Sequence, residues 1–237
     1  MRVHRALAMA GVASRRAAER LVEEGRVTVN GEVATVGQQV GENDTLAVDN
    51  RPVRAQATRT YLLNKRAGTV STASDPQGRP TVLDDLPDDL RLYPVGRLDL
   101  DTTGALLITN DGDLAARLMH PSSGVAKVYE ALVDGRVSAE TIRTLRRGVM
   151  LDDGPTGACV AEVMDRDHPR STWLRIELQE GRNRQVRRMC ETVGHRVLRL
   201  HRPSYAGLPL RGLSRGEWRP LTAEEMRRVA KLVGLER

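Results

Sequence analysis

The sequence predicts an α+β protein, with a small helix-hairpin module followed by a larger domain whose mainly antiparallel or mixed sheet is flanked by helices. Two observations lead to this fold class. First, two short helical patterns precede alternating segments joined at Asn30-Gly31, a dipeptide typical of tight β-hairpins. Second, strand and helix patterns beyond residue 60 do not alternate regularly, which argues against a doubly wound parallel sheet.

Residues 1–49 are predicted to form a module of their own. Its first helix covers residues 3–10, and its second begins at Ser14, a favourable N-cap, and ends before Gly25. Short strands are predicted over residues 26–29, 32–36 and 44–48. On the polar side of the second helix lie three cations: Arg15, Arg16 and Arg20.

Residues 50–59 show no periodicity and are predicted to be a linker, so that residues 60–237 form the second domain. Strands of this domain are predicted over residues 61–63, 105–109, 128–133, 160–164, 173–178 and 197–200. Helices are predicted over residues 113–119, 139–147, 184–193 and 223–232.

Composition restricts the environment of the protein. Hydrophobic residues make up 40% and charged residues 29%, and no apolar run approaches the roughly 20 residues of a membrane-spanning helix. Cys159 and Cys190 form neither a disulfide framework nor a zinc-binding spacing, which favours a reducing cytoplasm. The five histidines are scattered, so we expect no metal site.

Positive charge is clustered in one window of the chain. The net charge is +6, and residues 182–202 hold seven arginines against the single acid Glu191. Nearly every cation is a guanidinium, because the chain has only three lysines; guanidinium groups bind phosphate in a bidentate manner and stack on bases. A general preference for arginine would explain the ratio of arginine to lysine but not the clustering. A nucleic acid is therefore the expected partner.

The most informative segment is GRLDLDTTG at residues 96–104. Asp99 and Asp101 lie beside Arg97 in a predicted turn, just before an apolar strand. A carboxylate held near a cation stays ionised and acts as a nucleophile or base. The alternative is a polar turn whose aspartates only bond their own backbone. Asp101 precedes Thr102, Thr103 and Gly104, which suit a tight turn, so for Asp101 we expect either a structural role or one that supports the reacting groups from behind.

The predicted helix over residues 184–193 has two faces. Its apolar residues recur at the spacing of a buried stripe, and its charged residues, Arg184, Arg187, Arg188 and Glu191, recur opposite them. A solvated charged face is the usual reason for such a pattern. The preceding residues EGRN, at 180–183, also permit a phosphate-binding helix start.

Several segments together resemble one family. They are GRLD and TTG within residues 96–104, LITNDGDL at 107–114, LMHP at 118–121, KVY at 127–129 and EGRNRQVRRM at 180–189. In this order they resemble the ribosomal-RNA pseudouridine synthases of the RsuA/RluB type, over about residues 2 to 230. Residues 13–16, ASRR, and 25–31, GRVTVNG, resemble an S-four-like RNA-binding module. One segment departs from the family pattern, since NKRAG at 64–68 lacks the usual proline after lysine.

The resemblance implies an enzyme without cofactor that converts a uridine of ribosomal RNA into pseudouridine. It implies that Asp99 is the catalytic aspartate, that Tyr129 packs on the target base and that Arg187 pairs with Asp99; Leu200 is expected to line the base pocket. The expected RNA-binding residues are Arg15, Arg16, Arg20, Arg97, Lys127, Arg182, Arg184 and Arg188. The implied partner is ribosomal RNA or a ribosomal-subunit precursor. The opening residues 3–8, VHRALA, favour the large-subunit branch of the family, and a monomer is the simplest expectation for a protein with a large RNA partner.

The residue types suit this reaction. An ionised carboxylate can attack the anomeric carbon of the sugar or remove the neighbouring ribose proton, and the sequence does not choose between these routes. Because the base must leave its stack, an aromatic platform such as Tyr129 is useful.

Two other functions match parts of the sequence. DLDTT at 99–103 resembles the nucleophile turn of haloacid-dehalogenase-like phosphatases, and LITN at 107–110 resembles their second motif. Only eight positions separate Asp101 from Thr109, whereas a parallel crossover needs about a dozen or more residues. The other alternative, a non-catalytic factor for rRNA binding or ribosome assembly on the same scaffold, stays open at this point.

Overall fold

The computed structural model describes residues 1–235. The chain divides into two compact units, of which the first comprises Met1–Arg59 with the short segments Pro87–Leu92 and Asn110–Gly112. The second unit comprises the remaining described residues. Helices together with antiparallel and mixed sheets confirm the predicted α+β class.

The first unit contains two helices and a four-stranded antiparallel sheet. The helices are α1 (Val3–Met9) and α2 (Arg15–Glu23). The sheet has the order β2-β1-β3-β4, with β1 (Val27–Val29), β2 (Glu32–Val33), β3 (Leu46–Val48) and β4 (Arg51–Pro52). Apolar residues of both helices and of the strands form one core cluster.

Local chemistry explains these elements. The Ser14 hydroxyl accepts a hydrogen bond from the Ala17 amide at 3.2 Å and so caps α2, as predicted. Asn30 and Gly31 have φ angles of 53° and 89°, the left-handed conformation that a tight hairpin turn requires. The predicted hairpin is therefore confirmed, although its return strand is shorter than expected.

Strand β4 lies inside the segment predicted to be a linker. Arg51 and Pro52 pair with Val48 and Ala47 of β3, so this part of the chain extends the first sheet. The domain boundaries drawn from the sequence at residues 49 and 60 stay predictions.

The second unit is built on a nine-stranded mixed sheet. Seven strands follow the order β11-β12-β8-β13-β7-β5-β15, while β14 pairs with β13 and β6 with β7. Their bounds are β5 (Thr60–Lys65), β6 (Tyr93–Pro94), β7 (Thr103–Thr109), β8 (Lys127–Asp134), β11 (Val160–Val163), β12 (Ser171–Leu178), β13 (Val197–Tyr205), β14 (Leu208–Pro209) and β15 (Trp218–Pro220). A separate hairpin consists of β9 (Met150–Leu151) and β10 (Gly154–Pro155).

The remaining helices contribute to two core clusters. They are α3 (Gly112–Met119), α4 (Ala139–Arg147), α5 (Gln185–Thr192) and α6 (Ala223–Leu232), and a 3-10 turn covers Pro121–Ser123. Residues of α4 and α5 pack with β8, β11, β12 and β13, whereas residues of α3 and α6 pack with β5 and β7. No helix within residues 1–235 is both long enough and apolar enough to cross a membrane.

The junction between β7 and β13 depends on a glycine. These two strands run parallel, with Thr103 opposite His201 and Gly104 opposite Arg202. A Cβ atom at Gly104 would lie 2.3 Å from the main-chain oxygen of Arg202, and φ at Gly104 is +117°. A side chain at this position would push the two strands apart, next to the turn that carries Asp99.

Candidate active site

A pocket lies where β7, β8 and β13 are side by side. Its lining comes from the turn before β7, from β8, β12 and β13, and from the loop that leads into α5. The lining residues include Asp99, Tyr129, Glu180, Arg184 and Leu200. Four segments that are far apart in the sequence therefore meet at one cavity.

Asp99 lies in the turn between β6 and β7, and 27% of its side chain is exposed. The main chain of this turn is held by Lys65, a fully buried residue at the end of β5. Lys65 Nζ donates hydrogen bonds to the carbonyl oxygens of Asp99 at 3.0 Å, Leu100 at 3.2 Å and Thr102 at 2.9 Å. Burial lowers the pKa of Lys65 to about 8, against the opposite effect of the Asp101 and Asp99 charges.

Arg187 joins α5 to this turn. Its Nε atom lies 3.7 Å from Asp99 Oδ2, and its Nη2 atom lies 2.8 Å from Asp101 Oδ2. Its Nη1 atom donates to the carbonyl oxygen of Val197 at 3.2 Å. Only 11% of the Arg187 side chain is exposed, so this arginine is not part of a solvated helix face. The guanidinium thus contacts both carboxylates, and Asp101 is the nearer of the two.

Arg184 approaches Asp99 from the start of α5. Its Nη1 atom lies 3.6 Å from Asp99 Oδ2, and half of the side chain is exposed. The backbone of Arg184 has φ +47° and ψ +33°, a left-handed conformation that costs about 1 kcal/mol or more in a non-glycine residue. The helix therefore begins at Gln185, one residue later than predicted, because Arg184 takes the N-cap position.

Tyr129 and Leu200 share one face of the sheet. Leu200 pairs with Ala131, two residues after Tyr129 on β8, and residues two apart on a strand point to the same side. Both side chains line the pocket, Tyr129 half-buried and Leu200 buried. The structure therefore brings together all four residues that the sequence pointed to for the reaction and the base pocket.

Hydrogen bonds of Glu180 and Gln185 hold the loop before α5 in place. Glu180 Oε1 accepts hydrogen bonds from Gln185 Nε2 at 2.5 Å and from the Gly157 amide at 3.1 Å. Gln185 Oε1 in turn accepts from the Arg182 amide at 3.0 Å. These bonds fix one wall of the pocket, because Glu180, Arg182 and Gln185 all line it.

Two predicted RNA-binding arginines contact the β9–β10 hairpin. Arg182 Nη1 donates to the Gly154 carbonyl at 2.9 Å and lies 3.4 Å from Asp153 Oδ1. Arg188 pairs with Asp152 and, at 3.0 Å, with Asp153. The hydrogen bond from Arg188 holds the pKa of Asp153 below its usual value. Each arginine thus has a carboxylate partner within the chain, and contact with RNA stays a prediction for both.

The other predicted RNA-binding residues have different environments. Arg97 is exposed at the rim of the pocket. Lys127 is half-buried and donates to the Val125 carbonyl at 3.0 Å; burial, with a smaller effect of Arg202, lowers its pKa. In the first unit, Arg15, Arg16 and Arg20 are all exposed on α2.

Sequence reasoning missed two buried cations near the site, Lys65 and Arg202. Lys65 carried a usable signal, since it is one of only three lysines and lies in the NKRAG segment. Arg202 carried none, because nothing in the sequence separates it from the other arginines of the 182–202 cluster.

The arrangement combines an aspartate, a guanidinium and an aromatic ring at one pocket. It suits attack on, or proton removal from, a nucleoside packed against Tyr129. In the part of the chain that the structure describes, no group of three or more His, Cys, Asp or Glu residues could hold a metal ion.

The phosphatase alternative fails on topology. That reading requires the Asp99 turn and the LITN segment to follow different parallel strands. In the structure the turn directly precedes β7, and Leu107 to Thr109 lie on β7 itself. The two segments are therefore one strand and the turn that leads into it, not the ends of two parallel strands.

Comparisons with known proteins agree with this geometry. The profile of the RNA pseudouridylate synthase family matches residues 59–192, and that of the S4 domain matches residues 1–46. The chain is 44% identical to the ribosomal large subunit pseudouridine synthase B of Bacillus subtilis (strain 168), covering 98% of this chain and 96% of the relative. The Salmonella typhimurium protein of the same name is 41% identical, with coverages of 99% and 84%.

A comparison with solved structures supports the same family. A crystal structure of a pseudouridylate synthase superposes with a TM-score of 0.71 at 27% sequence identity, covering 97% of this chain and 99% of that one. A relative at 44% identity over nearly the whole chain, together with the profile match over more than half of it, is sufficient to assign the family. This chain is a member of the RNA pseudouridylate synthase family and carries an N-terminal S4 domain.

Proposed function

We propose that this protein converts one uridine of large-subunit ribosomal RNA into pseudouridine, with Asp99, Tyr129 and Arg187 acting at the nucleoside. The observation that carries the proposal is the convergence of these residues from three separate segments. Asp99 and Tyr129 line one pocket, and Arg187 lies 3.7 Å from Asp99. The names of the relatives from Bacillus subtilis and Salmonella typhimurium support the choice of the large subunit.

The reaction is an isomerisation that breaks the C1′–N1 glycosidic bond and forms a C1′–C5 bond. In one route the Asp99 carboxylate attacks C1′, and in the other it removes the proton on C2′. In both routes the bonding electrons leave with the uracil. The base then rotates and C5 bonds to C1′. In the first route this bond displaces the Asp99 carboxylate from C1′, and in the second Asp99 returns its proton to C2′ as C5 attacks C1′. The proton lost from C5 is balanced by protonation of N1. The Arg187 guanidinium orients the Asp99 carboxylate, while Tyr129 supports the extruded base.

RNA recognition is assigned to the first module and to exposed arginines at the pocket. The first module, residues 1–49, would bind folded RNA through α2, and a linker over 50–59 would join it to the catalytic domain, residues 60–237. This RNA contact is shape-selective rather than a bulk charge attraction. Arg97 and Arg184, exposed at the pocket, would contact the phosphates next to the target uridine. The proposal includes a cytoplasmic monomer that needs no cofactor.

The test is a map of pseudouridines in ribosomal RNA from cells with and without this protein. We expect one position, or a small group of positions, in the large-subunit RNA to change from pseudouridine to uridine when the protein is absent. Re-expression of the wild-type chain should restore the modification. An unchanged large-subunit map, or a change confined to the small subunit, would contradict the proposal.

A further inference from the structure

Arg202 is a buried cation for which the reaction so far has no role. Only 3% of the residue is exposed, and none of the described residues places a carboxylate oxygen within 4.0 Å of its guanidinium. Its Nε atom donates to the Ala105 carbonyl at 2.8 Å, and its Nη2 atom is buried without a hydrogen-bond partner in residues 1–235. The charge is therefore compensated by dipoles and rings only.

Two tyrosines surround this guanidinium. Its carbon lies 4.6 Å from the ring centre of Tyr205 and 5.9 Å from that of Tyr129. Burial raises the pKa of Tyr205 to about 12, so this phenol is neutral near pH 7 and provides no negative charge. A second cation, Lys127, lies 6.0 Å from the same Tyr205 ring. The region behind the base pocket thus carries an excess of positive charge.

Such an arrangement is unfavourable for folding alone. A buried charge without a counter-charge is costly, and cation–π contacts offset only part of that cost. Arg219 illustrates the usual solution, because it pairs with Glu225 at 2.7 Å. The unpaired Arg202 is better explained by a negative charge that exists only during the reaction.

The proposed reaction generates such a charge. When the C1′–N1 bond breaks, the electron pair stays on the uracil, which becomes an anion in both routes described above. Tyr129 lines the pocket, and Arg202 Nη1 lies 3.5 Å from its hydroxyl oxygen. A guanidinium has donors but no acceptor, so Arg202 can only donate to the phenol oxygen. The phenol proton is then left to donate to a group in the pocket.

We propose that Arg202 is a positioning residue that turns the Tyr129 hydroxyl into a hydrogen-bond donor for the uracil anion. The positive charge behind the phenol strengthens this donation, because Arg202 is buried and its charge is only weakly screened by water. The inference rests on the proposed function, since it requires the base to pack on Tyr129. Beyond that function, it gives Arg202 a role, makes the Tyr129 hydroxyl the hydrogen-bond donor and identifies the uracil anion as the charge that is stabilised.

A double-mutant cycle tests this inference. Arg202→Met keeps most of the volume and removes the charge, and Tyr129→Phe keeps the ring and removes the hydroxyl. We expect Arg202→Met to lower kcat by about 10- to 100-fold, with KM within about threefold of wild type. In the Tyr129→Phe background the same change should cost less than about threefold, because the phenol that transmits the effect is absent.

Stability and a control variant separate this role from a structural one. The melting temperature of Arg202→Met should equal or exceed that of wild type, because an unpaired buried charge is removed. Arg175→Met, on the neighbouring strand β12, removes an arginine paired with Glu177 and should leave kcat unchanged.

An equal loss of kcat from Arg202→Met in both backgrounds would overturn the inference, and so would a loss that accompanies a clear fall in melting temperature. Asp99→Asn, measured in the same series, reports on the proposed function separately. An active Asp99→Asn enzyme would contradict the assigned aspartate, whereas coupling in the cycle depends only on Arg202 and Tyr129.

Discussion

The two units carry arginine clusters that look alike in sequence and differ in structure. On α2 of the first unit, Arg15, Arg16 and Arg20 are exposed, and none pairs with a carboxylate among the described residues. In the second unit, the arginines between 182 and 188 all contact acids of the same chain, namely Asp99, Asp101, Asp152, Asp153 and Glu180. Clustered arginine thus occurs in two environments, since one set is exposed without a carboxylate partner and the other is paired with acids at the pocket or beside it.

This difference assigns separate effects to the two clusters. Removing a free surface arginine should weaken RNA binding and reduce its dependence on salt, with little effect on the chemical step. Removing an arginine that is paired inside the site should affect the rate of the reaction more than binding.

The largest effect is expected for Arg187. Arg187→Lys should lower kcat by about 100-fold, because a lysine cannot reach Asp99, Asp101 and the Val197 carbonyl at the same time. Arg188→Lys is the matched control. Arg188 pairs with Asp152 and Asp153 of the exposed hairpin, so this change should lower kcat only a few-fold. Single-turnover rates of pseudouridine formation measure both. Equal losses would contradict the distinction between the two adjacent arginines.

The next effect concerns stability and its pH dependence. Arg219 and its hydrogen bonds hold the pKa of Glu225 at about 2, below the usual 4.5, and this glutamate also closes the capping box of α6. Since the folded-state pKa is lowered, the contribution to stability is complete above pH 4.5 and is lost as the pH falls towards 2. Glu225→Gln should therefore cost about 2 kcal/mol at pH 7 and clearly less at pH 3.

Fluorescence makes this measurement specific to the second unit, because both tryptophans, Trp173 and Trp218, belong to it. Urea unfolding at the two pH values compares wild type with Glu225→Gln. In the first unit, the Arg26–Asp49 pair is half exposed and should contribute little. A Glu225→Gln effect that is the same at pH 7 and pH 3 would show that the pair does not titrate as described.

A smaller effect is expected from the free arginines of α2. Replacing Arg15, Arg16 and Arg20 together by Gln should weaken RNA binding by about 10-fold and make the salt dependence shallower by about two in log–log slope. At saturating RNA, kcat should stay within about twofold of wild type. Binding titrations at several salt concentrations provide the measurement, and an unchanged slope would remove α2 from the RNA-binding surface.

The smallest effect is expected when the carboxylates of the β9–β10 hairpin are removed, because they pair with arginines that could otherwise attract RNA. The double change Asp152→Asn and Asp153→Asn removes both carboxylate partners of Arg188 and one of the two carboxylate partners of Arg182, which keeps Glu180. RNA affinity should then rise by about two- to threefold, with a salt slope that is steeper by about one. Weaker binding would mean instead that the hairpin itself contacts RNA and that its acids are needed for its position.

Much of the fold follows from local patterns. The N-cap at Ser14, the Asn30-Gly31 turn and the buried stripe of α5 are short-range features, and the structure has each of them. Strand β13 is longer than predicted, because its second half is fixed by pairing with β8 and β14 rather than by its own sequence. Hydrophobic periodicity cannot report such tertiary pairing.

The site was predictable only in part. Asp99, Tyr129, Arg187 and Leu200 were identified through the family resemblance, and they meet at or beside one pocket. The sequence did not indicate that Asp101 is the nearer partner of Arg187, nor that Lys65 holds three carbonyls of the Asp99 turn. These contacts depend on which strand ends are neighbours in the sheet, and this information is absent from residue spacing.

The most direct measurement compares Asp99→Asn with Asp101→Asn in single-turnover pseudouridine formation on large-subunit ribosomal RNA. An amide at position 99 can neither attack C1′ nor remove a proton, so Asp99→Asn should yield no detectable product while still binding RNA. Asp101→Asn removes a partner of Arg187 and should slow the reaction without abolishing it. Activity of Asp99→Asn within about tenfold of wild type would contradict the assignment of this aspartate as the reacting group.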